Sequence, residues 1–134
     1  WEKPYAAHLG LGAAIDYALA CGVTAIATRI GLLAQRARVG LAGIDGVQVL
    51  DRGTVRSGIV TFTCDRVDAA DLAERLRAAH INVSVSTPDY AVGDFGRYGT
   101  DPSGASRSRV RVSPHAYNTE AEIDRLLTEV ADAR

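Results

Sequence analysis

The sequence predicts one α+β domain whose elements run α-α-β-β-α-β-β-α, and three observations carry that prediction. The 134 residues, 47% apolar and 23% charged, suit a single compact core and are too few for two ordinary ones. Apolar side chains recur at helical spacing near the start, in the middle and at the end of the chain. Between those stretches, β-branched and aromatic residues gather in short runs bounded by Gly, Asp and Ser.

The first helix spans residues 5 to 21, with Leu9, Leu11, Ile15, Ala18 and Leu19 at helical spacing and Gly22 where a terminating glycine belongs. Thr24 is the expected cap of a second helix, whose stripe is Ile26, Ile30, Leu33, Ala37 and Leu41. Arg29, Arg36 and Arg38 fall off that stripe, and the loop from Ala42 to Gly46 ends the helix. Val47 to Leu50 and Ile59 to Thr63 read as an antiparallel strand pair, with Asp51, Arg52, Gly53, Ser57 and Gly58 as turn material. A third helix starts at Asp68 and Asp71, buries Leu72, Leu76 and Ala79, and ends at His80 or Ile81. Strands follow at Ile81 to Val85 and Arg109 to Ser113. Thr119 and Glu122 have the spacing of a capping box, opening a last helix that buries Ile123, Leu126, Leu127 and Val130. The stretch Ser86 to Ser108, rich in Gly, Pro, Asp and Ser, is a long loop of the kind that is usually functional, mobile or organised by a partner.

Composition excludes several classes. Fifteen basic against sixteen acidic residues give no positive field for nucleic acid. No apolar run approaches the length of a membrane span. Cys21 and Cys64 are too few for a disulfide framework and lack zinc-site spacing, so a reduced, cytoplasmic protein is expected. His8, His80 and His115 have no carboxylates at ligand spacing, and the expected metal set is none. No serine sits in a nucleophile elbow, and Gly10 and Gly12 belong to a helix rather than a phosphate loop. Lys3 is the only lysine against fourteen arginines, so chemistry that needs a buried amine has no candidate. The chain lacks Met and opens on Trp1, from which a processed product or a piece of a longer protein is expected.

Arginine is the residue type left with chemistry to offer. Strand alternation sends Val110 and Val112 one way and Arg109, Arg111 and Ser113 the other. A guanidinium held on a strand presents a planar, permanently charged fork suited to one carboxylate. Alternation alone does not choose between Arg109 and Arg111, and on periodicity alone a solvated strand face is the better explanation of Arg111, strengthened by Arg107 and Arg109 close by.

The run from Arg109 through Val112, Ser113, Pro114, His115, Ala116, Tyr117, Asn118, Thr119 and Glu120 to Asp124 resembles the C-terminal signature of class V aminotransferase-fold enzymes, which depend on pyridoxal phosphate. Trp1-Glu2 and Leu9 to Tyr17 resemble the stretch joining that family's large and small domains. Gly46-Val47, Gly58 to Phe62 and Ile81 to Val83 match in order and spacing. The likeness covers nearly the whole chain and is nearest to isopenicillin-N epimerase-like and cysteine desulfurase-like members.

The resemblance implies the small C-terminal domain of a fold-type I enzyme: an antiparallel sheet with helices on one side, residues 1–22 as a linking helix and 23–134 as the body. It implies that Arg111 binds the α-carboxylate of an amino-acid substrate, and that the cofactor's lysine and most of its phosphate ligands lie in a large domain absent from this chain. No catalytic or cofactor-binding residue is therefore expected within it, and the isolated chain is expected to be inactive. The implied partners are the large domain and a second subunit, and one sheet face is expected to be unusually apolar or under-covered. Two departures stand out: Lys3, Pro4 and Tyr5 replace a phosphate-contacting Gly-Thr, and residues 86–108 lack the nucleophilic cysteine of desulfurases. A second reading is a free-standing ligand-binding or protein-interaction module of the same fold.

Overall fold

The computed structural model describes residues 3–51, 53–90 and 108–133. Helices α1 (Tyr5–Cys21), α2 (Val23–Ala42), α3 (Ala69–Ala78) and α4 (Glu120–Asp132) and strands β1 (Val47–Val49), β2 (Val60–Cys64), β3 (Ser84–Ser86) and β4 (Arg109–Val112) follow the expected order. The strands form one antiparallel sheet in the order β1-β2-β4-β3. β4, last in the chain, thus lies in the interior of the sheet between β2 and β3.

Alternation along the strands divides the sheet into two unlike faces. Val60, Phe62, Cys64, Val110 and Val112 point into one core with Leu33, Ala37 and Leu41 of α2, Leu72 and Leu76 of α3, and Ile123, Leu126 and Val130 of α4. Helices α2, α3 and α4 all pack on this side. The opposite face carries Gln48 paired with Thr63, and one residue pair further along β2 a row of Thr61, Arg111 and Ser84 in register across β2, β4 and β3. Among the described residues no helix packs on that face, and it is polar rather than apolar. The bare apolar surface is on α1 instead, where Leu9, Leu11, Ile15 and Leu19 are all exposed and no residue is buried.

Local chemistry sets the helix ends. The Thr119 hydroxyl accepts the Glu122 N–H at 3.2 Å and the Glu122 carboxylate accepts the Thr119 N–H at 2.7 Å, completing the capping box of α4. Two ion pairs join α4 to α2, Arg29 to Glu120 at 2.8 Å and Arg36 to Asp124 through two 2.7 Å hydrogen bonds. Gly40 permits the close approach of these helices, since a Cβ there would meet Leu127 Cδ1 at 2.2 Å. Asp68 caps α3 by accepting the Ala70 N–H at 2.9 Å.

Four sequence expectations need correction. Thr24 is not a cap: α2 starts at Val23, Gly22 (φ +88°) is the cap residue, and its carbonyl accepts the Ile26 N–H at 3.0 Å, leaving Thr24 inside the first turn. The chain bends by 74° between α1 and α2 at this glycine. Arg38 does not fall off the buried stripe of α2 but lies within it between Ala34 and Leu41, paired with Asp51. Ala79 is the half-buried cap of α3 rather than part of its stripe. β3 begins at Ser84, not Ile81, because the end of α3 claims the residues before it: His80 (φ +59°) donates to Arg77 O at 2.9 Å and Ile81 to Leu76 O at 2.8 Å.

Candidate carboxylate site on the open sheet face

Arg111 stands on β4 with Thr61 of β2 on one side and Ser84 of β3 on the other. The backbone of Thr61 turns toward β1: its N–H donates to Asp51 Oδ1 at 2.8 Å and its carbonyl accepts the Leu50 N–H at 2.8 Å. Thr61 and Arg111 therefore form a non-hydrogen-bonded pair, the closer of the two antiparallel geometries, with Cα atoms about 4.5 Å apart. A hydroxyl thus stands on either side of the Arg111 stem.

Burial separates the two arginines that alternation left equivalent. Arg109 is 2% exposed and already engaged. Arg111 is exposed and has no hydrogen bond or ion pair among the described residues. Most other described arginines are occupied: Arg29, Arg36, Arg38, Arg66 and Arg77 in ion pairs, Arg75 on Ala133 O at 3.1 Å, and Arg125 on Ala79 O. Arg56 shares the free state of Arg111, but it sits in coil between β1 and β2 rather than on a strand. Arg107 and most of the stretch Ser86 to Ser108 lie outside the described residues.

The remaining candidates are not drawn together. Cys64 points into the core and Cys21 ends α1, so among the described residues no thiol stands beside Arg111. His8 is exposed on α1, His80 ends α3, and His115 stacks on Tyr117 with ring centroids 4.8 Å apart. No metal-ligand cluster occurs among the described residues, and no single helix there is long and apolar enough to cross a membrane. Lys3 is exposed just ahead of α1.

A cleft of about 380 Å³ lies between the end of α3 and the start of α4, lined by residues including Asn82, Ser113, Tyr117 and Arg125. Another, of about 270 Å³, lies beside Asp51 and includes Arg56 and Thr61. Arg111 lines neither of these two clefts. The shifted titrations lie on the helix-covered side. Hydrogen bonds hold three α4 carboxyls below the usual range: Asp124 from Arg36, Glu120 from Arg29, and Glu122 from the Thr119 N–H and the Asn118 side chain.

Sequence reasoning missed the network behind Thr61. Arg38 Nε donates to Asp51 Oδ2 at 2.5 Å, and Asp51 Oδ1 receives both the N–H and, at 3.1 Å, the hydroxyl of Thr61. The available signal was the position of Arg38, four residues after Ala34 and three before Leu41, on the buried side of α2.

Comparison with known proteins agrees with this architecture. The aminotransferase class-V family model matches residues 3–126. A cysteine desulfurase of Dickeya dadantii is 34% identical over 121 residues, covering 89% of this chain and 27% of that protein. Among solved structures, the cysteine desulfurase CsdA of Escherichia coli superposes with a TM-score of 0.83 at 21% identity, over 99% of this chain and 31% of that one. A mutant of C-DES with glycine covalently linked to the PLP cofactor superposes with a TM-score of 0.59 at 22% identity, over 78% of this chain and 23% of that one. The chain thus spans about a third or less of each relative. With a family model matching from before α1 into α4, and the same α+β fold in the structural neighbours, the chain belongs to the class-V aminotransferase family.

Proposed function

We propose that this chain is the small C-terminal domain of a pyridoxal-phosphate-dependent enzyme acting on an amino acid, and that Arg111 binds the substrate's α-carboxylate. The observation that carries the reading is an exposed guanidinium, without a partner among the described residues, on a strand interior to the sheet and on a polar face that the described helices leave open. A bidentate arginine–carboxylate contact fixes both position and orientation of a small acid, and the charge persists at every working pH.

Among the described residues of the open face, none is suited to form a Schiff base with the cofactor. The chain's one lysine is exposed ahead of α1, and the described open face has none. Pyridoxal phosphate, which supplies an electron sink for amino-acid chemistry, is thus assigned to a large domain outside this chain. The bare apolar surface of α1 supports residues 1–22 as a linking helix covered by that domain, with 23–134 as the body. A homodimer covering the open sheet face, and a cytoplasmic location in keeping with two free cysteines, complete the reading.

The test compares this chain with the full-length protein after incubation with pyridoxal phosphate and gel filtration. The full-length protein is expected to keep a visible absorbance band and this chain to lose it. A stable band on this chain that survives Lys3→Ala would overturn the domain assignment.

A further inference from the structure

The buried pair Arg38–Asp51 has more hydrogen bonds than holding α2 to the sheet requires. Both side chains are nearly sealed, at 6% and 7% exposure. Arg38 Nη2 donates to Ser57 O at 2.6 Å and Ile59 O at 3.0 Å, while its Nε holds Asp51 Oδ2. The other Asp51 oxygen then takes the backbone N–H and the hydroxyl of Thr61, so every strong group in the network is satisfied. A buried ion pair is a poor device for stability alone, because apolar residues of similar volume often serve at least as well. What such a pair does well is specify a geometry.

The geometry specified here is that of the residue nearest Arg111 on β2. An ionised carboxylate only accepts, so the Thr61 hydroxyl must donate to Asp51, which fixes its rotamer and leaves only its lone pairs toward the open face. Asp51 also stands in for a β1 carbonyl as the acceptor of the Thr61 N–H, ending the β1–β2 ladder at that residue. The non-hydrogen-bonded pairing brings Thr61 against the stem of Arg111. Across β4, Ser84 has no comparable anchor among the described residues.

We infer that Arg38 and Asp51 are positioning residues for Arg111, acting through Thr61: the pair locks the Thr61 side chain, and the locked side chain confines the Arg111 guanidinium to the orientation that receives a carboxylate. This rests on the assignment of Arg111 as a carboxylate anchor.

The test uses the full-length protein with ¹⁵N-labelled arginine, propionate as a plain carboxylate probe, and the Arg111 Nε–H resonance, identified by its loss in Arg111→Lys. In the unaltered protein that resonance should shift saturably with propionate while that of Arg109 stays still. Thr61→Val, which keeps the N–H bond to Asp51 and removes the hydroxyl, should raise the dissociation constant about five- to tenfold. Thr61→Ser should restore it to within about twofold, a rescue that a purely structural role would not require. Asp51→Asn should behave like Thr61→Val; if it does not fold, the Thr61 pair decides alone. Unchanged affinity in Thr61→Val, with the Arg111 resonance still responding, would overturn the positioning role and leave the anchor standing. No response of Arg111 in the unaltered protein would overturn the anchor, and the positioning role with it.

Discussion

The two faces of the central strands β2 and β4 differ in what their residues already hold. On the helix-covered face Val60, Phe62 and Val110 are fully buried and their contacts are complete. On the other, Thr61 is held by Asp51, Arg109 is sealed, and Arg111 alone of the two strand arginines is exposed. A face whose groups are satisfied contributes stability. A charged group fixed on a rigid strand without a partner contributes little to folding and is available for recognition. The contrast predicts that substitutions on the two faces separate stability from activity.

The largest effect belongs to the sealed face. Phe62→Ala should cost about 3–5 kcal/mol by removing a buried ring and leaving a cavity, read as a fall in the midpoint of urea unfolding. A loss under about 1 kcal/mol would mean that this face is not the core.

A smaller effect sharpens the comparison at the end of α3. His80 occupies a left-handed conformation with φ +59°, where a side chain is strained and glycine is not. His80→Gly should therefore stabilise by about 0.5–1 kcal/mol, net of the added unfolded-chain entropy. Destabilisation in thermal melts would show that the histidine ring makes a contact worth more than the strain.

The smallest effect is electrostatic and belongs to α4. Asp124, Glu120 and Glu122 have carboxyls lowered in the folded state by hydrogen bonds, and all three are exposed. Lowered folded values mean that this contribution is full above the unfolded carboxylate range, near pH 4, and is lost as pH falls through the folded values. Thermal melts from pH 6 to pH 2 should show the decline, and Glu120→Gln with Asp124→Asn should flatten part of it. A double variant with the original acid dependence would remove these pairs from the account.

The core and the starts of α3 and α4 were legible in the sequence because their signals are local and periodic. The α4 capping box is written in Thr119 and Glu122, and the β4 alternation in four consecutive residues. What escaped depended on long-range partners. Arg38 looks like a surface arginine until Asp51, thirteen residues away, is placed beside it. The end of α3 took Ile81 from the expected strand through a hydrogen bond to Leu76, which propensity does not encode. The site was half legible: alternation set Arg109 and Arg111 on one face, the family signature favoured Arg111, and burial, which requires the fold, separates them.

The most direct measurement is kcat/KM for the amino-acid substrate in the full-length protein bearing Arg111→Ala, Arg111→Lys or Arg109→Ala, with thermal melts alongside. Arg111→Ala should leave stability within about 0.5 kcal/mol while lowering kcat/KM at least tenfold, equivalent to about 1.4 kcal/mol of lost transition-state binding. Arg111→Lys should not rescue it, because an ammonium cannot reproduce the planar fork. Arg109→Ala should do the reverse, lowering the melting temperature more than Arg111→Ala does. Activity lost in Arg109→Ala with Arg111→Ala near wild type would contradict the account and move the carboxylate anchor two residues along β4.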